Sequence, residues 1–460
     1  MSNMESVTTP QPFDTPQQEE PMHSQSTRSV SLLPTYVLIG VLAVLAVLTG
    51  FNFFFKPFAE YQPLEETEVV EVVDLPQIDF ANLSHEEQVE ALYQKMTPEQ
   101  KIAQLIALPV EADAFLASIS ALAVEKQEYE SQQSAQNESA YINFLTEGDA
   151  QSAATESAVV NEPQELFLED WGFVTLFGEE ISRNKALQVI SYIDEKNTQK
   201  TPIWVMVDHE GGTVQRLSGE GFTQLPAWQT FCLEDAAERL EPVVSSASEL
   251  AQVGVDVVLA PVVDISAAQP ILKSRVCSGD VKTVYEASAA YMTIFNESAI
   301  LPVLKHFPGI GKTQRDLHIA TDSVLVDSDS VELYKQLLSV YDYSAVMTSH
   351  VAVVNQDESK PCSLSVDCVG QLKQEYPHVL LITDALEMKS TGINDSDVFL
   401  EDIALQAVYA GNSVLLFGPS VSQGDIKIVQ DRLLREFNDS YEFRELVNKQ
   451  VQLILDYKLA

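Results

Sequence analysis

Eight short apolar runs recur along this chain, and their repetition constrains the fold more than any other feature. They occupy residues 102–109, 172–178, 202–208, 256–264, 301–307, 344–351, 379–385 and 413–418. Most are continuous rather than alternating, as in strands buried on both faces of a parallel sheet. Segments with helical periodicity lie between most of them, for example at 184–197, 281–298 and 397–411. Strand–helix alternation repeated eight times predicts an α/β chain folded as a closed (β/α)8 TIM-type barrel. A doubly wound open sheet is the alternative, and the first run also suits a helix.

Polar residues recur at the carboxyl ends of these runs. Asp208 ends the third, Lys305 and His306 lie late in the fifth, His350 in the sixth and Asp384 in the seventh. In a barrel those ends meet on one rim, where a site is built. Taken singly, each is equally well explained as a helix cap or a satisfied buried polar group. Their recurrence favours a site.

The chain before the first run has a different character. Residues 1–31 are rich in Ser, Thr, Gln, Pro and Glu and read as a disordered tail. Residues 32–55 carry no charge and reach the length of a membrane-crossing helix. The long polar stretch ahead of them argues against a cleaved signal peptide. Residues 56–85 read as an acidic linker, and residues 86–460 as the barrel domain. Within that domain, residues 111–167 have the polar composition of a mobile acidic surface insertion with room for short helices.

The formal net charge of −41 sets this surface against phosphate backbones, so nucleic acid is not an expected partner. The four cysteines, Cys232, Cys277, Cys362 and Cys368, show no CxxC spacing, which leaves a metal site without support. Buried or unpaired thiols are the expected state, with a Cys362–Cys368 disulfide open in an oxidising compartment.

Three motifs carry chemistry. In VMVDHEGGTVQRL, residues 205–217, an acid ends a strand, two glycines permit a tight turn, and Gln215 and Arg216 follow. Thr213 stands four residues after His209, so a zincin motif is absent. In LKHFPGIGKTQRDLHIATD, residues 304–322, GIGKT mimics the end of a phosphate-binding loop, but His306 occupies the position where that loop needs its first glycine. The better reading is a glycine-flexed loop on which Asp316 can orient and support a charged His318. An ordinary surface Asp and His is the bland alternative. In LLITDALEMKS, residues 380–390, Asp384 follows a strand and suits a carboxylate nucleophile, or else caps the next helix. No GxSxG occurs.

Together with LAPVVDI, MTSHV and AGNSVLLF, these motifs resemble, in order, those of glycoside hydrolase family 3 β-N-acetylhexosaminidases. The chain looks similar to the single-domain subgroup that includes bacterial peptidoglycan-recycling enzymes. The resemblance runs from about residue 90 to the C-terminus. It implies a retaining hydrolase that releases terminal β-linked N-acetylglucosamine through a covalent intermediate on Asp384. His318 would be the acid/base and Asp316 its partner. Asp208, Arg216, Arg275, Lys305 and His306 would hold the sugar. No metal or organic cofactor is implied.

There are departures from the family pattern. Ile310, Lys312 and Leu317 stand where the family loop has His, Asp and Ser. Thr213 replaces an Arg, and Ser413 replaces an acid. These departures leave open a non-catalytic glycan-binding barrel, and a histidine acid/base, which repels a phosphate nucleophile less than a carboxylate does, leaves open a β-N-acetylglucosaminide phosphorylase. The substrate class places the barrel outside the cell membrane on a single N-terminal span.

Overall fold

The computed structural model describes residues 80–147, 171–197, 201–234, 236–267, 271–341, 343–354, 356, 360–393 and 398–460. Residues 78–460 form one compact unit. The expected tail, the apolar segment 32–55 and almost all of the acidic linker lie outside the described residues. Among the described residues no helix is long and apolar enough to cross a membrane.

Eight parallel strands form the centre. They are β1 (Ile106–Glu111), β2 (Phe173–Phe177), β3 (Trp204–Val207), β4 (Val257–Val258), β5 (Leu301–Phe307), β6 (Ala345–Thr348), β7 (Leu380–Thr383) and β8 (Leu415–Leu416). Neighbours in sequence are neighbours in the sheet, and β8 pairs with β1. A parallel bridge between Ile382 and Val414 joins β7 to the start of β8, which brings the sheet to a nearly closed barrel. All four residues of β7 and all seven of β5 are buried, which is why both read as unbroken apolar runs. The open sheet is thereby set aside. The first run splits: a helix capped by Thr97 ends at Ala103, and the strand begins at Ile106.

The C-terminal helix Tyr441–Leu459 fastens the amino-terminal ends of the strands. Lys458 Nζ donates to the carbonyls of Gly172 and Pro202, just before β2 and β3. Tyr457 Oη donates to those of Ser344 and His378, just before β6 and β7. Burial lowers the Lys458 pKa to about 7. The opposite rim is left for chemistry.

Two expectations are corrected. The insertion holds one 36-residue helix, Ala112–Glu147, where only short helices were expected; residues 148–170 lie outside the described residues. Its first turns carry Ala112, Phe115, Leu116, Ile119 and Leu122 at helical spacing, and these are buried or partly buried. Phe115 meets Tyr192 edge-on at 5.7 Å on the following helix. Good helix formers such as Ala, Glu, Gln and Lys then carry the helix onward. The cysteines are not free: Cys232 pairs with Cys277, and Cys362 with Cys368. Forty-five residues separate the first pair, so only the fold brings them together.

Candidate active site

The carboxyl ends of the strands surround a pocket of about 400 Å³. Every residue expected to act on a sugar lines it: Asp208, Arg216, Arg275, Lys305, His306, Asp316, His318 and Asp384. They come from five loops and strand ends, and distances in sequence of up to 176 residues collapse into one cavity.

One wall is a network of alternating charge. Lys305 at the end of β5 donates to Asp208 Oδ1 at 3.0 Å and lies 2.6 Å from Glu210 Oε1. Arg275 grips the same Glu210 with two bonds, of 2.7 and 2.8 Å. Arg216 Nη2 lies 3.6 Å from Asp208 Oδ2. A short hairpin makes this arrangement: Gly211 and Gly212 turn with φ of 89° and 60°, so residues 209–211 fold back on 214–215. Arg216 N–H then donates to the Asp208 carbonyl. His209, between the two acids, turns the other way, and its Nε2 lies 2.6 Å from Ser246 Oγ in the core. Burial alone would raise the Glu210 pKa, but Lys305 and Arg275 hold it well below the usual carboxylate range. Burial also works against the Lys305 ammonium, and Glu210 and Asp208 more than offset it.

Glu210 was not among the expected site residues, although its side chain is only 1% exposed and it bridges two of them. Asp264 was missed too. It accepts from His306 Nδ1 at 2.7 Å and from the Ile310 amide at 2.6 Å, so it fixes both the imidazole and the start of the loop beyond β5.

Asp384 follows β7. Its amide donates to the Thr348 carbonyl, and its Oδ1 accepts from Ala385 N–H at 2.8 Å. Burial pushes its pKa upward, but His306, His350 and the Ala385 amide together bring it below the ordinary value. The carboxylate is therefore ionised at neutral pH. His350 supports it from behind: Nε2 faces the Ala385 carbonyl at 2.9 Å, and Nδ1 faces Ser363 Oγ at 2.6 Å. A carbonyl only accepts, so Nε2 carries the hydrogen and Nδ1 accepts from Ser363.

Asp316 and His318 stand at the pocket mouth. His318 Nδ1 lies 2.8 Å from Asp316 Oδ1, which also accepts the His318 amide. Their side chains are 67% and 46% exposed for His318 and Asp316. Partial burial acts upward on the Asp316 pKa, and the two bonds from His318 outweigh it and lower it. The Leu317 carbonyl accepts from the Ser390 amide, which ties this loop to the segment after Asp384.

The departures from the family pattern acquire physical meaning here. Ile310 and Leu317 are buried in a second apolar cluster with Leu272, Val276, Val324, Val351 and Met388. That cluster adds apolar packing to the polar contacts that hold the loop beyond β5. Lys312 points to the surface and pairs with Asp327 at 2.6 Å. Ser413 is buried against Gln450 of the C-terminal helix, 2.5 Å away. Thr213 is exposed. None of these last three lines the pocket.

Comparison with known proteins agrees with this geometry. Residues 99–453 match the Glycosyl hydrolase family 3 N terminal domain. A β-hexosaminidase of Glaesserella parasuis is 31% identical over 216 residues, which cover 45% of this chain and 63% of that protein. A β-hexosaminidase of Haemophilus influenzae is 27% identical over 54% of this chain and 72% of its own length. Among solved structures, the β-N-acetylhexosaminidase of Beutenbergia cavernae superposes with a TM-score of 0.61 at 21% identity, covering 79% of this chain and 99% of that one. A β-glucoside phosphorylase superposes with a TM-score of 0.60 at 18% identity, covering 82% and 61%. At these identities the two structures speak for the fold.

Proposed function

Because the chain belongs to glycosyl hydrolase family 3, we propose that it is a retaining β-N-acetylhexosaminidase that releases terminal β-linked N-acetylglucosamine. The observation that carries the reading is the meeting, in one pocket, of an ionised strand-end carboxylate, an exposed Asp–His pair and a wall of fixed charges. The names of the β-hexosaminidase relatives support the same sugar.

In this reading Asp384 attacks the anomeric carbon and forms a glycosyl-enzyme, while His318 gives its proton to the leaving oxygen. Neutral His318 then takes a proton from water, which attacks the same carbon and frees the sugar with retained configuration. A histidine in place of the second carboxylate departs from the usual pair of acids. Its reference pKa, near 6.5, suits alternate donation and acceptance at neutral pH. Asp208, Lys305 and Arg275 are positioned to bind sugar hydroxyls and the N-acetyl group. Peptidoglycan or chitin-type fragments are the proposed source of the sugar. The two disulfides support an oxidising location, consistent with an extracytoplasmic barrel.

The test uses the purified protein and aryl β-N-acetylglucosaminides. The sugar released first is expected as the β-anomer by NMR, and the corresponding aryl glucoside as a much poorer substrate. Equal rates on the two sugars reject the hexosaminidase reading. A phosphorylase would need phosphate and yield the sugar 1-phosphate, so the same assay with and without phosphate separates the two reactions.

His318→Ala provides a second check. Loss of a general acid is expected to slow a phenyl glycoside by about 10²-fold or more. A dinitrophenyl glycoside, whose leaving group needs no proton, is expected to lose far less in its first step. Equal losses on both substrates reject the acid role.

A further inference from the structure

We propose that Arg315 is the anion-binding residue of the leaving-group side, so that the enzyme favours N-acetylglucosaminides whose aglycone carries a carboxylate close to the glycosidic oxygen. This rests on the hexosaminidase reading above and adds what sits on the far side of the scissile bond.

Four cations line the pocket, and three are already engaged. Lys305 lies against Asp208 and Glu210, Arg275 against Glu210, and Arg216 near Asp208. Arg315 lines the same cavity, yet its exposed guanidinium has no ion-pair partner among the described residues.

Its place in the chain matters as much as its charge. Arg315 immediately precedes Asp316, the partner of His318. Its backbone is fixed: the amides of Gln314 and Arg315 both donate to Asp322 Oδ2, at 2.6 and 3.0 Å. The proton for the leaving oxygen comes from His318, so the aglycone lies on the His318 side, and the Arg315 side chain springs from that loop. The other carboxyl on this part of the wall, Glu387, is tied to the Gly418 amide at 3.0 Å.

The guanidinium fork matches a carboxylate with two parallel bonds. Long-range repulsion from the acidic protein is screened over roughly 8 Å at physiological salt. The local cation at the pocket mouth is therefore felt by a bound carboxylate more strongly than the distant acidic surface. Inorganic phosphate has the same oxyanion chemistry, and it would have to act as the attacking group instead of part of the substrate.

The experiment compares 3-carboxyphenyl and 3-carbamoylphenyl β-N-acetylglucosaminide, which have the same shape and differ in charge. kcat/KM is measured for the wild type, Arg315→Gln and Arg315→Lys. The carboxyl-over-carbamoyl preference is expected to fall about tenfold or more in Arg315→Gln, mainly through KM. Arg315→Lys is expected to recover part of it. Turnover of the carbamoyl substrate with an unchanged preference in Arg315→Gln overturns the proposal alone. Absence of turnover on both substrates by the wild type sinks the hexosaminidase reading and this proposal with it. Phosphate-dependent turnover that is lost in Arg315→Gln assigns the residue to the attacking group and also overturns it.

Discussion

Asp384→Ala is expected to lower kcat on an aryl β-N-acetylglucosaminide by about 10⁴-fold, the order seen when a nucleophile is removed from a covalent mechanism. Such a loss corresponds to roughly 5 kcal/mol of transition-state stabilisation. The fold has little reason to suffer. Asp384 is partly buried, its side chain accepts one bond from the adjacent Ala385 amide, and its backbone bond to Thr348 survives the change. The imidazoles of His306 and His350 keep their own partners, Asp264 and Ser363. The melting temperature is therefore expected to stay near that of the wild type, because a carboxylate held for chemistry adds little to folding. The hole left by the carboxylate also admits a small anion. Azide is expected to restore part of the turnover and to give the α-glycosyl azide, since it attacks from the face that Asp384 vacates. Undiminished kcat in the variant without azide removes Asp384 from the nucleophile role.

The barrel was legible because strands buried on both faces leave unbroken apolar runs, and because polar residues at their ends break the pattern where the chain emerges. Asp208, Lys305, His306 and Asp384 all declared themselves in this way. The helix at 112–147 did not, since its apolar stripe lasts only three turns and a polar, strongly helix-forming tail dilutes it. Cys232 and Cys277 also gave no signal, because the pairing depends on a short helix and a loop 45 residues away meeting in the fold. Glu210 was hidden by its neighbours. Read with His209 and Thr213 it looked only like a failed metal motif, and the two glycines after it drew attention to the turn. The available clue was electrostatic: an acid two residues beyond a strand-end acid, in a chain whose later strand carries a lysine near its end. Ile310 and Leu317 seemed to weaken the site, and in the fold they become the apolar contacts that seat its mobile-looking loop.

That hidden carboxylate carries the other large effect. Glu210→Ala is expected to destabilise the protein by about 3–5 kcal/mol, since removing one partner of a buried pair strands the other. Lys305 is 2% exposed and would keep only Asp208, while Arg275 would lose both its short bonds. For a unit of this size such a loss lowers the melting temperature by roughly 4–6 °C. The sign with pH is fixed by the direction of the shift. Glu210 has its pKa lowered from 4.5 to about 2 in the folded state, so its contribution is complete above the unfolded value. It fades as the pH falls through that lower value. The stability gap between wild type and Glu210→Ala is therefore expected to be constant near neutrality and to narrow steadily in acid. A gap that widens in acid contradicts an ionised Glu210. Activity separates this electrostatic role from simple loss of stability. Measured well below the variant's melting temperature, kcat/KM is expected to drop by about 10²-fold, as when groups that hold the substrate shift by an ångström. Glu210→Gln keeps the shape and loses the charge. If it retains wild-type kcat/KM, the carboxylate is only a spacer, and the alternating charges along this wall do not organise the sugar site.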